Sequence, residues 1–101
     1  MRELKSNEAL VFNTEKTYAI VDFYATWCGP CKALSPKLEE IEKTHPNVEL
    51  IKVNVEECED LAAQYKIMNL PTMLFFKNGE PINKLIGLVP EKDILEIIEK
   101  E

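Results

Sequence analysis

The sequence is poor in cysteine, glycine and histidine, and it has no long uninterrupted apolar segment. Three cysteines, three glycines and one histidine occur among 101 residues. An odd number of cysteines at this density is unlike the disulfide frameworks of small secreted domains, so we expect a reducing, cytoplasmic setting. No stretch reaches the 18 apolar residues of a membrane span, and charges interrupt the first ten positions. We therefore expect neither an export signal nor a membrane anchor.

Clustered positive charge is also missing. Twelve Lys and Arg residues face eighteen Asp and Glu residues, which gives a net charge of −6. Because no basic patch is present, we expect no nucleic-acid partner. The chain lacks repeats, low-complexity segments and Gly/Ser linkers, and its length and 46% apolar content are typical of one domain. A single domain is predicted over 1–101.

Hydrophobic periodicity and turn signals predict alternating helices and strands. The predicted elements are a helix over 6–13, a strand over 18–25, a helix over 28–43, a strand over 48–55, a helix over 57–65, strands over 72–76 and 83–88 joined by a tight turn, and a helix over 91–101. Alternation in the first half predicts parallel pairing, and the last two strands predict a hairpin. The fold class is therefore α/β, a central mixed sheet flanked by helices on both faces. Pro36 is expected to kink its helix.

Two cysteines stand three positions apart in "WCGPCK", where the first strand gives way to a helix. The C-x-x-C spacing by itself is compatible with a redox pair or with half of a structural zinc site. A closed zinc site needs four ligands, and only His45 and Cys58 remain as further nitrogen or sulfur donors. His45 is predicted in a loop, and Cys58 shares an apolar helix face, which predicts a buried or partly buried thiol. These positions favour the redox pair.

Asp22 interrupts an otherwise apolar strand, "YAIVDFYA". It is either a surface-facing residue of an edge strand or a buried carboxyl with a function, and the apolar run favours the second interpretation. Lys52 falls in the next predicted strand, where a lysine considered alone is typical of the solvated surface.

Several segments, in this order and spacing, resemble the thioredoxin family over essentially the whole chain. They are "VDFYATWCGPCK", "LPT", "FFKNGE" and the Gly87–Leu88 pair. The resemblance implies a protein-disulfide reductase that works by thiol-disulfide exchange, needs no bound cofactor and is recharged by a separate thioredoxin reductase using NADPH. We expect a monomer. The alternative from another class is a docking subunit of a larger enzyme, whose groove binds without turnover.

The position of each cysteine predicts its role. Cys28 begins the helix, where free N–H groups and the helix dipole stabilise an anion, so we expect it to be the more accessible thiolate and the nucleophile. Cys31, one turn further, would resolve the mixed disulfide. The resemblance implies that Asp22, accompanied by Lys52, exchanges a proton with Cys31. Cys58 could have a regulatory redox role, which the sequence leaves open.

The resemblance also implies a substrate groove around Cys28. Its residues would be Trp27, Gly29, Pro30, Leu70, Pro71, Gly87 and Leu88, with a cis peptide bond between Leu70 and Pro71. Gly29 would let a substrate backbone approach, and Pro30 suits the first helical turn. Asn69 and Tyr24 depart from the common family pattern, which affects the expected shape of the groove rather than its chemistry.

Overall fold

A computed structural model describes residues 1–100. The strands are β1 (Arg2–Glu3), β2 (Tyr18–Tyr24), β3 (Val48–Asn54), β4 (Thr72–Lys77) and β5 (Glu80–Ile86), and the helices are α1 (Gly29–Thr44), α2 (Glu59–Gln64) and α3 (Glu91–Ile98). The strands form one sheet in the order β1-β3-β2-β4-β5. β1, β3 and β2 pair in parallel, whereas β4 and β5 are antiparallel. The predicted mixed sheet is confirmed. Glu101, the end of the predicted terminal helix, lies outside the described residues.

The sheet carries an apolar cluster on each face. On one face, alternate residues of β2 pack against α1 and α3; for example, Ile20 of β2 lies in one cluster with Leu34 of α1 and Ile94 of α3. On the other, Val21 and Phe23 pack with side chains of α2. β2 is buried along nearly its whole length because both faces are covered, which explains its unbroken apolar pattern. None of the helices within residues 1–100 is long and apolar enough to cross a membrane.

The predicted helix over 6–13 is wrong. Residues 7–13 contain no helix or strand, and Asn7 adopts a left-handed φ of 67°. Leu10 and Phe12 both pack against the second face of the sheet, and the ring of Phe12 lies 4.7 Å from that of Phe76. Two side chains at i and i+2 point the same way in extended backbone but not in a helix. The packing of these two residues therefore accounts for the irregular segment.

Other boundaries differ by a few residues. β1 was not predicted, since two charged residues give no strand signal, yet it pairs with β3 and is followed by the fully buried Leu4. α2 is shorter than predicted, and β5 begins at Glu80 and ends before Gly87, whose φ is 88°. The hairpin is confirmed, and positive φ at both Asn78 and Gly79 suits its tight turn. α1 continues through Pro36, whose kink stays a prediction.

Candidate active site

Cys28 and Cys31 lie at the start of α1, just beyond the buried end of β2. Cys28 is the N-cap residue of the helix, and the two sulfurs form a disulfide. The backbone N–H of Cys31 donates to Sγ of Cys28 at 3.2 Å. One of the unpaired N–H groups of the first helical turn is therefore directed at a cysteine sulfur. Leu34 and Leu38 bury the next two turns of α1 and hold this terminus against the sheet.

Exposure does not distinguish the two cysteines. In the disulfide form, Cys28 is 5% exposed and Cys31 is 4% exposed. The greater accessibility expected of the Cys28 thiolate concerns the reduced protein and stays a prediction. Both residues belong to one small apolar cluster with Ala25, against which Leu70 packs. The disulfide links Cys28 to Cys31, which lies on the buried face of α1, and this link explains why the two residues are similarly buried. What distinguishes Cys28 is its capping position.

Asp22 is a buried carboxyl in the middle of the sheet. It is 1% exposed, and within residues 1–100 neither of its oxygens has a hydrogen-bond partner. Burial raises the pKa of Asp22 to about 7; the positive charge of Lys52 opposes the rise and the negative charge of Glu3 adds to it. The surface interpretation of Asp22 is thus wrong, because β2 is a central strand covered on both faces. A carboxyl with this pKa can change its protonation near neutral pH.

Lys52 lies beside Asp22 in the sheet and lines a cleft together with Cys31. Asp22 and Lys52 are direct partners in the register of β2 and β3. Nζ of Lys52 lies 4.4 Å from the centre of the Tyr24 ring, in contact with its face. Lys52, Tyr24 and Cys31 contribute to a cleft of about 350 Å³. The fold therefore places the predicted lysine in the same cleft as Cys31.

Among the remaining predicted residues, Gly29 and Pro30 begin α1, and the others lie in loops. The Leu70–Pro71 peptide bond is cis, as the resemblance implies, and the carbonyl of Pro71 accepts from the N–H of Gly87 at 2.8 Å. That hydrogen bond joins two of the expected groove segments. Trp27 and Leu88 expose large apolar surfaces. Gly29 and Pro30 are also exposed.

A Cβ at Gly29 would contact no atom of the chain within 4 Å. The fold itself therefore does not require glycine at this position. A requirement for glycine here would instead come from a bound molecule that approaches Cys28.

Sequence reasoning missed two features of the site. Met68 precedes Leu70 in the same loop and is one of the most exposed apolar residues described. The only sequence signal for Met68 was an apolar residue within a polar loop.

The second missed feature is a contact of Tyr24. The hydroxyl of Tyr24 donates to a carboxylate oxygen of Glu3 at 2.7 Å. No local pattern indicates this contact, because it joins residues 21 positions apart on two strands that are separated in the sheet by β3.

The zinc alternative finds no support in this arrangement. Among residues 1–100, no group of three or more His, Cys, Asp and Glu side chains is placed to hold a metal ion. Nε2 of His45 lies 2.8 Å from a carboxylate oxygen of Glu99, at the opposite end of α1 from the cysteines.

Cys58 is buried at the start of α2, as predicted, with its sulfur 3.8 Å from the carbonyl oxygens of Leu4 and Lys5. Burial, followed by the charges of Glu57, Glu3 and Glu8, raises the pKa of Cys58. A raised pKa leaves little reactive thiolate at neutral pH. These observations favour a packing role for Cys58.

Comparison with known proteins agrees with this geometry. A sequence model described as Thioredoxin matches residues 4–100. The thioredoxin of Staphylococcus saprophyticus is 40% identical over 89 residues, covering 87% of this chain and 86% of that protein. The structure of Fasciola hepatica thioredoxin superimposes with a TM-score of 0.83 at 34% identity, covering 98% of this chain and 97% of the other. Plasmodium falciparum thioredoxin has a TM-score of 0.75 at 36% identity, covering 85% and 83%. The chain therefore belongs to the thioredoxin family and is a thiol-disulfide oxidoreductase that reduces protein disulfides.

Proposed function

We propose that Cys28 attacks the substrate and that Cys31 completes the reaction. In the reduced protein, the thiolate of Cys28 attacks one sulfur of a substrate disulfide, and the other substrate sulfur leaves as a thiolate. The thiolate of Cys31 then attacks Sγ of Cys28, which forms the Cys28–Cys31 disulfide and releases the second substrate thiolate. Two electrons pass from the cysteine pair to the substrate. The products are the disulfide form of this protein and a reduced dithiol.

The observation that carries this assignment is the position of Cys28 as the N-cap of α1. The Cys31 N–H that reaches Sγ of Cys28 would stabilise negative charge on that sulfur, and so would the helix dipole. Stabilised charge favours Cys28 both as the attacking thiolate and as the leaving group when a reductase opens the disulfide. Cys31 lies within the first turn, on the buried face of α1, and its sulfur is bonded to that of Cys28. It is therefore placed to attack Sγ of Cys28.

Asp22 and Lys52 are proposed to serve the proton transfer that accompanies resolution. Cys31 must lose a proton before it attacks, and a carboxyl whose pKa is raised to about 7 can accept one at neutral pH. The shared cleft of Lys52 and Cys31 supports this route, as does the direct register of Lys52 with Asp22. Lys52 would stabilise the ionised form of Asp22 before transfer.

The groove for protein substrates is proposed to consist of Trp27, Gly29, Pro30, Leu70, Pro71, Gly87 and Leu88. Exposed apolar surface at Trp27 and Leu88 would bind the side chains of an extended peptide. The open space above Gly29 supports a close approach of the substrate backbone. Such recognition is broad, because main-chain pairing and apolar contact place few demands on the sequence of the partner.

Replacement of Leu88 by alanine tests this groove. Because Leu88 is 47% exposed, we expect kcat/KM for a protein disulfide to fall roughly threefold to tenfold, from loss of about 1 kcal/mol of apolar contact. Reaction with a small aromatic disulfide should stay within about twofold of the parent. The matched control is Ile82→Ala on β5, since Ile82 is 44% exposed but distant along the strand from Gly87. Equal losses for the two variants would contradict a groove at Leu88.

The proposed partners are a separate thioredoxin reductase, which would restore the dithiol with electrons from NADPH, and proteins that carry reducible disulfides. We further propose that residues 1–101 act as one monomeric domain in the cytoplasm, without nucleic-acid or membrane partners. The similarity to bacterial thioredoxins supports the reductase, and the unpaired, buried Cys58 supports a reducing compartment.

Insulin reduction coupled to NADPH consumption, with a purified bacterial thioredoxin reductase, tests the proposed cycle. We expect turnover by the parent protein and none above background by the Cys28→Ser, Cys31→Ser double variant. Cys58→Ala serves as the control and should keep most of the activity, since that residue lies outside the proposed exchange. A double variant that retains insulin reduction would contradict the assignment of both cysteines.

A further inference from the structure

Three charged side chains form a row across the parallel half of the sheet. Glu3 of β1 is the register partner of Lys52 on β3, and Lys52 is the register partner of Asp22 on β2. Register partners on neighbouring strands point to the same face of a sheet. The lysine therefore has one carboxyl on each side. The two carboxyls differ in their surroundings, because Glu3 is exposed and Asp22 is buried.

Tyr24 connects the exposed end of this row to the lysine. It lies two residues after Asp22 on the same strand, so its side chain projects from the same face. Its hydroxyl donates to Glu3 at 2.7 Å, and the face of its ring contacts Nζ of Lys52 at 4.4 Å. Tyr24 thus holds the Glu3 carboxylate and the Lys52 ammonium on one side chain. Loss of the hydroxyl would release Glu3 without removing the ring.

The ammonium of Lys52 forms no close ion pair with Asp22 among the described residues. In the described part of the chain, no ion pair within 4.0 Å joins them, and both Asp22 oxygens lack hydrogen-bond partners. On the strands, the titratable groups on the face of Asp22 are Lys52 of β3, Glu3 of β1 and Tyr24 of β2. From α1, Cys31 and Lys32 line the same cleft as Lys52. β4 and α3 contribute the apolar Met73, Ile94 and Ile98 to this face. Of these groups, Glu3 is the negative charge that raises the pKa of Asp22.

We propose that Glu3, held by Tyr24, is a positioning residue that shares the charge of Lys52 and thereby keeps Asp22 able to take up a proton near neutral pH. The inference rests on the proposed role of Asp22 as the proton acceptor for Cys31. Without Glu3, Lys52 would act on Asp22 alone and favour its ionised form more strongly. The negative charge of Glu3 would itself no longer oppose ionisation. Both effects act in the same direction, and the raised pKa of Asp22 agrees with their present balance.

Glu3→Gln is the direct test, because it removes the charge and keeps an oxygen that can accept from Tyr24. The titration of the Asp22 carboxyl carbon would be followed by NMR in the disulfide form, in which Cys28 and Cys31 do not titrate. We expect the midpoint to move to lower pH by roughly 0.5. Glu40→Gln makes the same charge change on the exposed face of α1 and should move it by less than about 0.1. Equal midpoints for parent and Glu3→Gln would overturn the proposal.

Tyr24→Phe separates position from charge, because the ring stays and the bond to Glu3 is lost. The Asp22 midpoint should move in the same direction as in Glu3→Gln, by a smaller amount. In the Glu3→Gln, Tyr24→Phe double variant it should move no further than in Glu3→Gln alone, since Tyr24 acts through Glu3. Additive displacements would overturn the positioning role of Tyr24.

A second measurement distinguishes this inference from the role of Asp22 itself. The pH profile of mixed-disulfide resolution in the reduced protein should move with the NMR midpoint in Glu3→Gln. A displaced midpoint with an unmoved rate profile would overturn the proton-acceptor role of Asp22, and with it any part of Glu3 in the reaction, while leaving the charge row established. An unchanged Asp22 midpoint in Glu3→Gln would overturn the proposed effect of the charge row, whatever the rates of mixed-disulfide resolution.

Discussion

A Cys31→Ser variant is expected to remain covalently attached to its substrate as a stable mixed disulfide. Attack by Cys28 needs only its own sulfur and the N-terminus of α1, both of which the variant keeps. Resolution needs a second thiolate beside Cys28, and serine is a far poorer nucleophile at neutral pH. We expect catalytic turnover to fall on the order of a thousandfold or more, with accumulation of one adduct per protein. Mass spectrometry before and after added dithiothreitol measures this adduct.

The control for trapping is Cys28→Ser, with both variants prepared in a Cys58→Ala background so that each contains a single thiol. Cys28→Ser should form little adduct, because the remaining Cys31 lacks the capping position that would stabilise its thiolate. If the two variants accumulate adducts at the same rate, the nucleophile and the resolving thiol have been assigned wrongly.

The second large effect concerns stability, which Asp22→Asn should increase at alkaline pH. The pKa of Asp22 is about 7 in the folded chain, against an ordinary value of 3.8. At this carboxyl, the folded state therefore binds more protons than the unfolded state between these values, so the contribution of Asp22 to stability is greatest below about pH 4 and is lost as the pH rises toward 7. A difference of this size corresponds to roughly 4 kcal/mol. Asparagine keeps the volume of the side chain and cannot ionise.

We accordingly expect Asp22→Asn to be more stable than the parent by about 2–4 kcal/mol at pH 8 and nearly equal to it at pH 4. Urea unfolding of the disulfide forms at several pH values measures the difference directly. The variant should also resolve mixed disulfides at least about tenfold more slowly near neutral pH, because the proposed proton acceptor is gone. An advantage independent of pH, or a loss of stability at pH 8, would mean that Asp22 is not a buried carboxyl with a raised pKa.

The active-site loop and the elements beside it could be predicted from the sequence because their signals are local. The apolar run of β2, the helix pattern after Cys28 and the turn at Asn78–Gly79 each depend on neighbours in the chain. Local signals mislead at 6–13, where Leu10 and Phe12 are apolar but pack against the sheet from an irregular segment. A local apolar pattern indicates which side chains are buried, but it does not determine the backbone conformation of the segment.

The sequence by itself therefore determined the α/β fold class, the family and the cysteine pair at a helix N-terminus. Only the tertiary structure decided that both cysteines are equally buried, that Asp22 has no hydrogen-bond partner, and that Tyr24 bridges Glu3 and Lys52. The physical reason is strand register. The row from Glu3 through Lys52 to Asp22 joins residues far apart in the chain, and a slip of one residue would turn each side chain to the opposite face. That register is set by the packing of the whole sheet, so no single segment encodes the electrostatics of the site.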